Sequence, residues 1–291
     1  MIRRAVNRVL DAQTWADGLG DTLANLYLAV LRPMPRVKDL LHGTWLGHAL
    51  HPALTDFAIG GVTVGIVLDI AARAGARDLA PGANAATLVG LVAMLGSAVT
   101  GAADHTGTYG RERRFATIHS LIMYTAAVLY LVSVLSRYGF VAPNTDVAFV
   151  TALLGFLLVS AGSYIGGEVV YGLGYMVDRH AWRSGGTKWA ALEPATFAEG
   201  APEKAKAGGQ PLVVVRRGAA LQVLHDTCAH AGCSLAENGK IVGDTIECGC
   251  HGSRFELATG RVARGPATYD QPRYEVREEQ GRFEVRRATR A

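Results

Sequence analysis

The most specific chemical signal in this sequence comes from cysteine and histidine residues near its end. All four cysteines of the 291-residue chain lie between positions 228 and 250, in the segments CAHAGCS (228–234) and CGCHGS (248–253). A structural zinc site needs four thiolate or imidazole ligands. A binuclear iron-sulfur centre of the mixed-ligand kind needs two thiolates on one iron and two imidazoles on the other. The two segments therefore predict a metal centre of one of these kinds.

The spacing favours the iron-sulfur alternative. Zinc sites usually pair C-x2-4-C with H-x3-5-H or with a second C-x2-C, whereas here each segment supplies both a cysteine and a histidine. One thiolate and one imidazole from each segment complete the mixed set, and these residues are Cys228 and His230 with Cys248 and His251. Each segment also carries one further thiol, Cys233 in the first and Cys250 in the second.

The region resembles a Rieske [2Fe-2S] domain of the disulfide-bearing, bc-complex-like kind. The resemblance covers about residues 190 to 290 and implies a [2Fe-2S] cofactor. It implies that Cys228 and Cys248 bind one iron and that His230 and His251 bind the outer iron. It also implies a disulfide between Cys233 and Cys250, and Gly265-Pro266-Ala267 resembles the proline loop that covers the cluster in these domains.

One position departs from the family pattern and bears on the redox potential. High-potential members have a serine directly after the His-Gly pair and a tyrosine two positions later, both hydrogen-bonded to sulfur. Here Ser253 is present but Phe255 stands at the tyrosine position. Hydrogen bonds to sulfur favour the reduced cluster. We therefore expect a lower potential than in the bc-complex proteins.

The flanking sequence predicts a small antiparallel β domain. The segment PLVVVRRGAALQVLHD (211–226) is typical of two apolar strands joined at Arg216–Gly218. The segment YEVREEQGRFEVRR (274–287) alternates in the manner of a hairpin that turns at Gln280–Gly281. These strands would form the scaffold that supports the metal-binding loops.

The first two thirds of the chain predict a membrane protein. Hydrophobic residues make up 49% of the sequence, mean hydropathy is +0.18 and net charge is only +4, which gives no case for a nucleic-acid partner. A bilayer core requires about 20 apolar helical residues. Four stretches qualify: 54–72, 83–103, 116–136 and 147–170. The segment 5–31 before them predicts one or two amphipathic helices, ended by Pro33 and Pro35.

The flanking cations predict the orientation in a bacterial cell membrane. Lysine and arginine accumulate before the first stretch, between the second and third, and after the fourth, whereas the opposite side has only Arg73, Arg77 and Arg137. The positive-inside rule then places both termini and the Rieske region in the cytoplasm. The disulfide opposes this placement, because cytosolic disulfides are uncommon.

Several histidines fall at the same end of the predicted helices, and they are His48, His51, His105 and His119. Three interpretations remain open. Two of these imidazoles bind a b-type haem, or the group lines a quinol pocket together with Asp56 and Asp104, or the side chains only form interfacial hydrogen bonds and helix caps. The stretch WLGHALHPALTDFAIGG (45–61) resembles an uncharacterised bacterial family of four-helix membrane domains that sometimes occurs joined to a Rieske domain.

Together these patterns predict a four-helix transmembrane bundle followed by an all-β Rieske domain. The expected divisions are an amphipathic segment (1–46), the transmembrane domain (47–178), a linker (179–192) and the Rieske domain (193–291). The expected function is a membrane-anchored electron carrier between the quinone pool, or an intramembrane haem, and a partner redox protein. The alternatives are a quinol-oxidising enzyme or subunit that uses the His/Asp cluster, and a redox sensor.

Overall fold

The chain folds into two compact units. The structure is a computed structural model that describes residues 2–141, 143–181 and 186–288. Unit 1 contains Met1–Val37 and Leu50–Gly174, and unit 2 contains Lys38–Ala49 and Tyr175–Ala291. The chain therefore passes between the units three times, and the membrane half and the Rieske half are joined by more than one covalent connection.

These units differ from the divisions expected from the sequence. Residues 38–49 belong to unit 2, although they were expected in the N-terminal segment and at the start of the transmembrane domain. The physical reason is a long-range contact: the carboxylate of Asp39 accepts a hydrogen bond from Gly265 N–H at 3.0 Å, and His42 is fully buried. Residues 175–181 also belong to unit 2, and residues 182–185 of the expected linker lie outside the described residues.

Unit 1 is α-helical. Its long helices are α4 (Leu50–Arg73), α5 (Ala80–His105), α6 (Gly110–Arg137) and α7 (Thr145–Gly167), the last followed by a π-helical turn at Glu168–Gly172. All four are long and apolar enough to cross a membrane, which confirms the predicted four-helix class. Pairing is sequential, since α4 packs along α5 and α6 packs along α7.

The N-terminal segment forms three helices: α1 (Ile2–Asp11), α2 (Trp15–Leu31) and α3 (Pro35–His42). Pro35 begins α3 and does not simply end the segment, because a fixed φ and a missing N–H suit the first turn of a helix. Acidic residues of α1 and α2 pair with arginines at the start of α6. The pairs are Asp11–Arg111, Asp17–Arg114 and Asp21–Arg113.

Close approach of α4 and α5 depends on glycine. A Cβ at Gly61 would lie 2.7 Å from the Cα of Gly90, and a Cβ at Gly90 would lie 2.8 Å from the backbone nitrogen of Val62. Backbones can pack this tightly only where side chains are absent. The contact supports a core around Val62, Leu91 and Tyr130.

Unit 2 contains two antiparallel sheets. Their strands are β1 (Ala190–Ala191), β2 (Pro202–Ala207), β3 (Gln210–Arg217), β4 (Ala220–His225), β5 (Gly239–Val242), β6 (Thr245–Cys248), β7 (Arg254–Glu256), β8 (Val262–Arg264), β9 (Arg273–Glu279) and β10 (Arg282–Arg287). The larger sheet has the order β1-β10-β9-β4-β3-β2, and the smaller has β5-β6-β7-β8. A short helix, α8 (Leu235–Asn238), precedes β5.

Both hairpins expected from the sequence are confirmed. Strands β3 and β4 pair from Leu212 with His225 to Arg217 with Ala220. Strands β9 and β10 turn at Gln280–Gly281, where both residues have positive φ, as a tight hairpin turn requires. The smaller sheet carries the second cysteine loop, between β6 and β7.

We expect Gly61→Ala to destabilise unit 1 and Gly60→Ala to leave it unchanged or slightly more stable. The added methyl at position 61 meets the backbone of α5, and overpacking of this kind costs about 1–3 kcal/mol. A methyl at position 60 meets nothing within 4 Å. Thermal unfolding of the two variants in the same detergent, followed by the helical circular dichroism signal, measures the difference. Equal midpoints would show that α4 and α5 do not pack closely here.

Candidate functional site

The two cysteine loops share one backbone hydrogen-bond pattern. In the first loop, Cys228 N–H donates to Cys233 O at 2.8 Å and Gly232 N–H donates to Cys228 O at 2.9 Å. The second loop repeats both bonds at the same distances, from Cys248 to Ser253 and from Gly252 to Cys248. Gly232 and Gly252 have φ values of 88° and 80°, which favour glycine. Two equivalent loops thus present their first cysteines in the same way.

The first cysteines of the two loops form a buried thiol pair. Cys228 and Cys248 are each 1% exposed and are hydrogen-bonded to each other. That bond, with backbone N–H groups of Cys250 and His251, lowers the pKa of Cys248 to about 7. The same bond, together with burial, raises the pKa of Cys228 well above its ordinary value. The pair is arranged to hold a thiolate, the form in which cysteine binds metal.

The histidines of the two loops lie side by side. The ring centroids of His230 and His251 are 4.9 Å apart. His230 is 4% exposed, and both of its ring nitrogens are buried without a hydrogen-bond partner among the described residues. Burial lowers the pKa of His230 well below its ordinary value, helped by the nearby His251. A neutral imidazole with unsatisfied buried nitrogens is suited to bind a metal.

The remaining two cysteines form the expected disulfide. Cys233 and Cys250 are bonded, with their Cα atoms 6.6 Å apart, so the bond links the two loops. Their sulfurs and that of Cys248 lie within 4.8 Å of one another. A bonded disulfide cannot supply thiolate ligands, so this trio does not form a three-thiolate site. The donors that remain are two thiols and two imidazoles, which fit a mixed-ligand binuclear iron-sulfur cluster.

Gln271 positions the first loop. Its side-chain NH₂ donates to the carbonyls of His225 and Thr227, at 2.5 and 2.7 Å, and its side-chain oxygen accepts from Ala229 N–H at 2.9 Å. The side chain is 2% exposed. His180 Nε2–H also donates to Thr227 O at 2.9 Å. A single amide therefore anchors both sides of Cys228, a role that its sequence position does not reveal.

Ser253 and Phe255 lie in the buried environment of the second loop. Ser253 Oγ accepts a hydrogen bond from Ala267 N–H at 3.0 Å, so the hydroxyl ties the cysteine loop to the Gly265–Pro266 loop and keeps its own proton to donate. Phe255 is fully buried and packs in the core that contains Cys228 and Cys248. The aromatic ring at this position has no hydroxyl to offer the cluster.

Residues from outside the β domain cover the first histidine. Tyr175 contacts the His230 ring edge-on, with centroids 5.8 Å apart, and Arg179 Nε–H donates to His230 O at 3.3 Å. Lys38 and His42 lie close enough to add to the lowering of the His230 pKa. No sequence motif marks this cover, because positions 38 and 42 are nearly 190 residues from the loop.

Of the four candidate histidines before residue 120, the structure brings two together. His51 on α4 and His119 on α6 have ring centroids 6.4 Å apart. His105 is engaged elsewhere, with Nε2 3.0 Å from Thr117 Oγ1 and its ring against Tyr27. His48 belongs to unit 2, is exposed, and has its Nδ1 2.8 Å from Ala49 O. The sequence placed all four histidines at one end of the predicted helices, but it could not select the two whose rings face each other.

The acidic residues at this end of the helices, Asp56 and Asp104 of the expected quinol pocket and also Glu168, have different surroundings. Glu168 accepts hydrogen bonds from Arg3 and Asn7, which makes it part of an ion pair within unit 1. Asp56 is exposed, and Asp104 is 4% exposed. These carboxylates do not gather around the two facing rings in a metal-binding group among the described residues.

Comparison with known families assigns both halves of the chain. Residues 188–275 match the Rieske [2Fe-2S] domain family, and residues 47–179 match a family described as predicted membrane protein (DUF2231). Ferredoxin CarAc of Metapseudomonas resinovorans is 39% identical over 80 residues, which span 28% of this chain and 74% of the ferredoxin. Carotenoid phi-ring synthase of Chlorobaculum tepidum is 40% identical over 70 residues, 24% of this chain but only 10% of that protein.

Solved structures also match the Rieske half. The ferredoxin of carbazole 1,9a-dioxygenase from Nocardioides aromaticivorans IC177 is 26% identical, covers 31% of this chain and 88% of its own, and has a TM-score of 0.29. A ferredoxin-oxygenase complex of carbazole 1,9a-dioxygenase matches at 30% identity over 36% of this chain and 99% of the matched chain, with a TM-score of 0.32.

We expect Phe255→Tyr to raise the redox potential of the cluster by on the order of tens of mV, because a hydroxyl beside the cluster can donate to sulfur and stabilise the reduced state. Phe283→Tyr is the matched control, since Phe283 packs in the other core of unit 2. Redox titration of each protein followed by EPR gives the potentials. The explanation is wrong if the wild-type potential already equals that of bc-complex proteins, or if both variants shift it equally.

Proposed function

Because the chain belongs to the Rieske [2Fe-2S] family through residues 188–275 and to the DUF2231 membrane family through residues 47–179, we propose that it is a membrane-anchored one-electron carrier. It exchanges electrons between the membrane, through the quinone pool or a haem b, and a partner redox protein. The arrangement that carries the proposal is the pair of equivalent loops with two buried thiols and two adjacent imidazoles.

The proposal assigns each donor to a role. Cys228 and Cys248 would hold one iron, and His230 and His251 would hold the other. The bound cluster supplies one-electron redox chemistry. The disulfide Cys233–Cys250 holds the two loops together, and Gln271 fixes the backbone on both sides of Cys228. Both thiols are buried, so water would be kept from the iron that they would bind.

The relative Ferredoxin CarAc supports the choice of an electron carrier. Ferredoxin CarAc is a ferredoxin by name, and the chain covers 74% of its length at 39% identity. A carrier of that class passes electrons to another protein and does not complete a reaction alone. We therefore propose a protein partner that receives or supplies electrons at the His251 side, where the described residues leave the imidazole less covered than His230.

The membrane half would set where the exchange takes place. Four helices of sufficient length and apolarity support anchoring in the lipid bilayer. The arginines at the start of α6 are paired with acids of α1 and α2. This pairing leaves the orientation argument intact, because the positive-inside rule counts lysine and arginine and is not a rule of net charge. We accordingly propose that the Rieske domain faces the cytoplasm.

We expect the detergent-purified full chain to show a dithionite-reducible Rieske EPR signal that ferricyanide reoxidises. Cys228→Ser and His230→Ala should reduce that signal to less than about a tenth, because each removes an iron ligand. Asn238→Ala, at an exposed position in the same unit, is the control. A full signal in the cysteine variant would contradict the ligand assignment.

The same sample separates the carrier from the quinol-oxidising alternative. A carrier would require a partner protein or a haem bound in its membrane domain. A short-chain quinol added to haem-free protein without a partner should then leave the cluster oxidised. Rapid reduction of the cluster by quinol in haem-free protein, abolished in His51→Ala or His119→Ala, would instead establish the enzyme. A redox-dependent change of partner binding without electron transfer would identify a sensor.

Orientation is expected to follow the cations. A green fluorescent protein fused after residue 291 should fluoresce, and alkaline phosphatase at the same position should be inactive, since the first matures in the cytoplasm and the second needs an oxidising compartment. The disulfide argues for the opposite orientation, because Cys250 is exposed and cytosolic reductants could reach it. The two fusions decide between these orientations. Active phosphatase with a dark fluorescent fusion would place the Rieske domain on the opposite side.

A further inference from the structure

We propose that His51 and His119 are the axial ligands of a b-type haem held between the helices of unit 1. The two rings come from different helices, their centroids are 6.4 Å apart, and their planes are inclined by 81°. Facing side chains in the core of a four-helix bundle are a common place for a cofactor.

The hydrogen bonds fix the tautomer of both rings. His51 Nδ1 lies 2.8 Å from the carbonyl oxygen of Ser97, and His119 Nδ1 lies 2.8 Å from the carbonyl oxygen of Gly162. A carbonyl oxygen can only accept, so each Nδ1 must carry the proton. In a neutral ring the lone pair is then on Nε2. Histidines that bind metal usually donate their other ring nitrogen to a carbonyl or carboxylate in this manner.

The separation of the rings matches a six-coordinate haem iron. An iron–imidazole bond is about 2 Å long, and the ring centre lies about 1.1 Å beyond the nitrogen, so an iron between two opposed imidazoles separates their centroids by roughly 6.2 Å. The observed 6.4 Å is close to this value. Edge-on ring contacts within this chain are somewhat shorter, with centroids 5.8 Å apart for Tyr175 and His230 and 5.9 Å apart for Tyr27 and His105.

The same local arrangement occurs twice. On α5 the accepting carbonyl at Ser97 is followed four residues later by Gly101, where a Cβ would lie 2.9 Å from His51 Cε1. On α7 the accepting carbonyl at Gly162 is followed four residues later by Gly166, where a Cβ would lie 3.1 Å from His119 Cε1. Each helical hairpin thus holds its histidine by one carbonyl and one glycine. Two matched half-sites suit a ligand with two equivalent axial positions.

Other uses of the pair fit less well. A bare zinc ion needs about four protein ligands. Among the described residues no third histidine, cysteine or carboxylate oxygen joins this pair in a metal-binding group. His105 differs from this pair, because its Nε2 is already engaged with Thr117 Oγ1 at 3.0 Å. A porphyrin supplies the four equatorial nitrogens itself and asks the protein for only two ligands.

The haem would act as the membrane-side redox centre of the proposed carrier. This role rests on the proposed function, whereas haem binding itself does not. Oxidation of ferrous haem to ferric haem releases one electron, and the [2Fe-2S] cluster takes up one. No proton or further reactant is needed for this exchange. The test below measures haem binding and ligation alone, so its failure would leave the cluster and the carrier function untouched.

The experiment uses the detergent-purified full chain, expressed with added 5-aminolaevulinate. Pyridine haemochrome analysis should give about one haem b per chain, and reduced protein should show a sharp α band. Ferric protein should give a strongly anisotropic low-spin EPR signal, because nearly perpendicular axial rings leave the iron orbitals almost degenerate. His51→Ala and His119→Ala should each lower the haem content at least about tenfold.

Two controls separate ligation from misfolding. Reconstitution of each alanine variant with haem and imidazole should restore low-spin haem that stays with the protein through gel filtration, which an unfolded protein would not retain. Gly101→Ala should weaken haem binding by displacing His51, whereas Gly60→Ala, where a methyl meets nothing within 4 Å, should not. The Rieske EPR signal of unit 2 reports that each variant chain remains intact. Haem-free wild-type protein, or unchanged haem content in both histidine variants with the Rieske signal retained, overturns the proposal.

Discussion

The backbone hydrogen bonds inside the two cysteine loops are the interaction on which unit 2 depends. Metal ligation requires thiols and imidazoles held within tenths of an ångström, and flexible loops cannot do this alone. Here Cys228 and Cys248 each donate to the closing residue of their own loop at 2.8 Å. The disulfide joins the loops, and Gln271 ties the first to the sheet. The small sheet and its core serve mainly to keep these bonds in place.

Unit 1 meets a different constraint, because helices in lipid gain little from burying apolar side chains. Close backbone contact replaces that gain, and glycine permits it at Gly61 and Gly90. Glycines also stand where the His51 and His119 rings lie against neighbouring helices. Glycine therefore permits helix packing at some positions and makes room for a histidine ring at others. A count of small residues in the sequence cannot separate these two roles.

Much of the architecture follows from short-range patterns. The donor pairs C-x-H and C-x-x-H define the cluster loops, alternation defines the β3–β4 and β9–β10 hairpins, and apolar length defines helices α4 to α7. The attachment of residues 38–49 to unit 2 could not be read in this way, because Asp39 and Gly265 are 226 residues apart. Nor could the choice of His51 with His119, since it depends on how each helix is rotated about its axis.

The two loop histidines are unequally covered, which has a consequence for electron transfer to and from the proposed cluster. Within the described residues, His230 is sealed by Tyr175 and its neighbours, whereas His251 keeps part of its surface in contact with solvent. Electron tunnelling weakens steeply with the gap between redox centres, so a soluble partner of the proposed carrier would approach over His251. A soluble donor and a soluble acceptor would then occupy the same patch and exclude each other. Turnover between two such proteins would be limited by how fast the first departs.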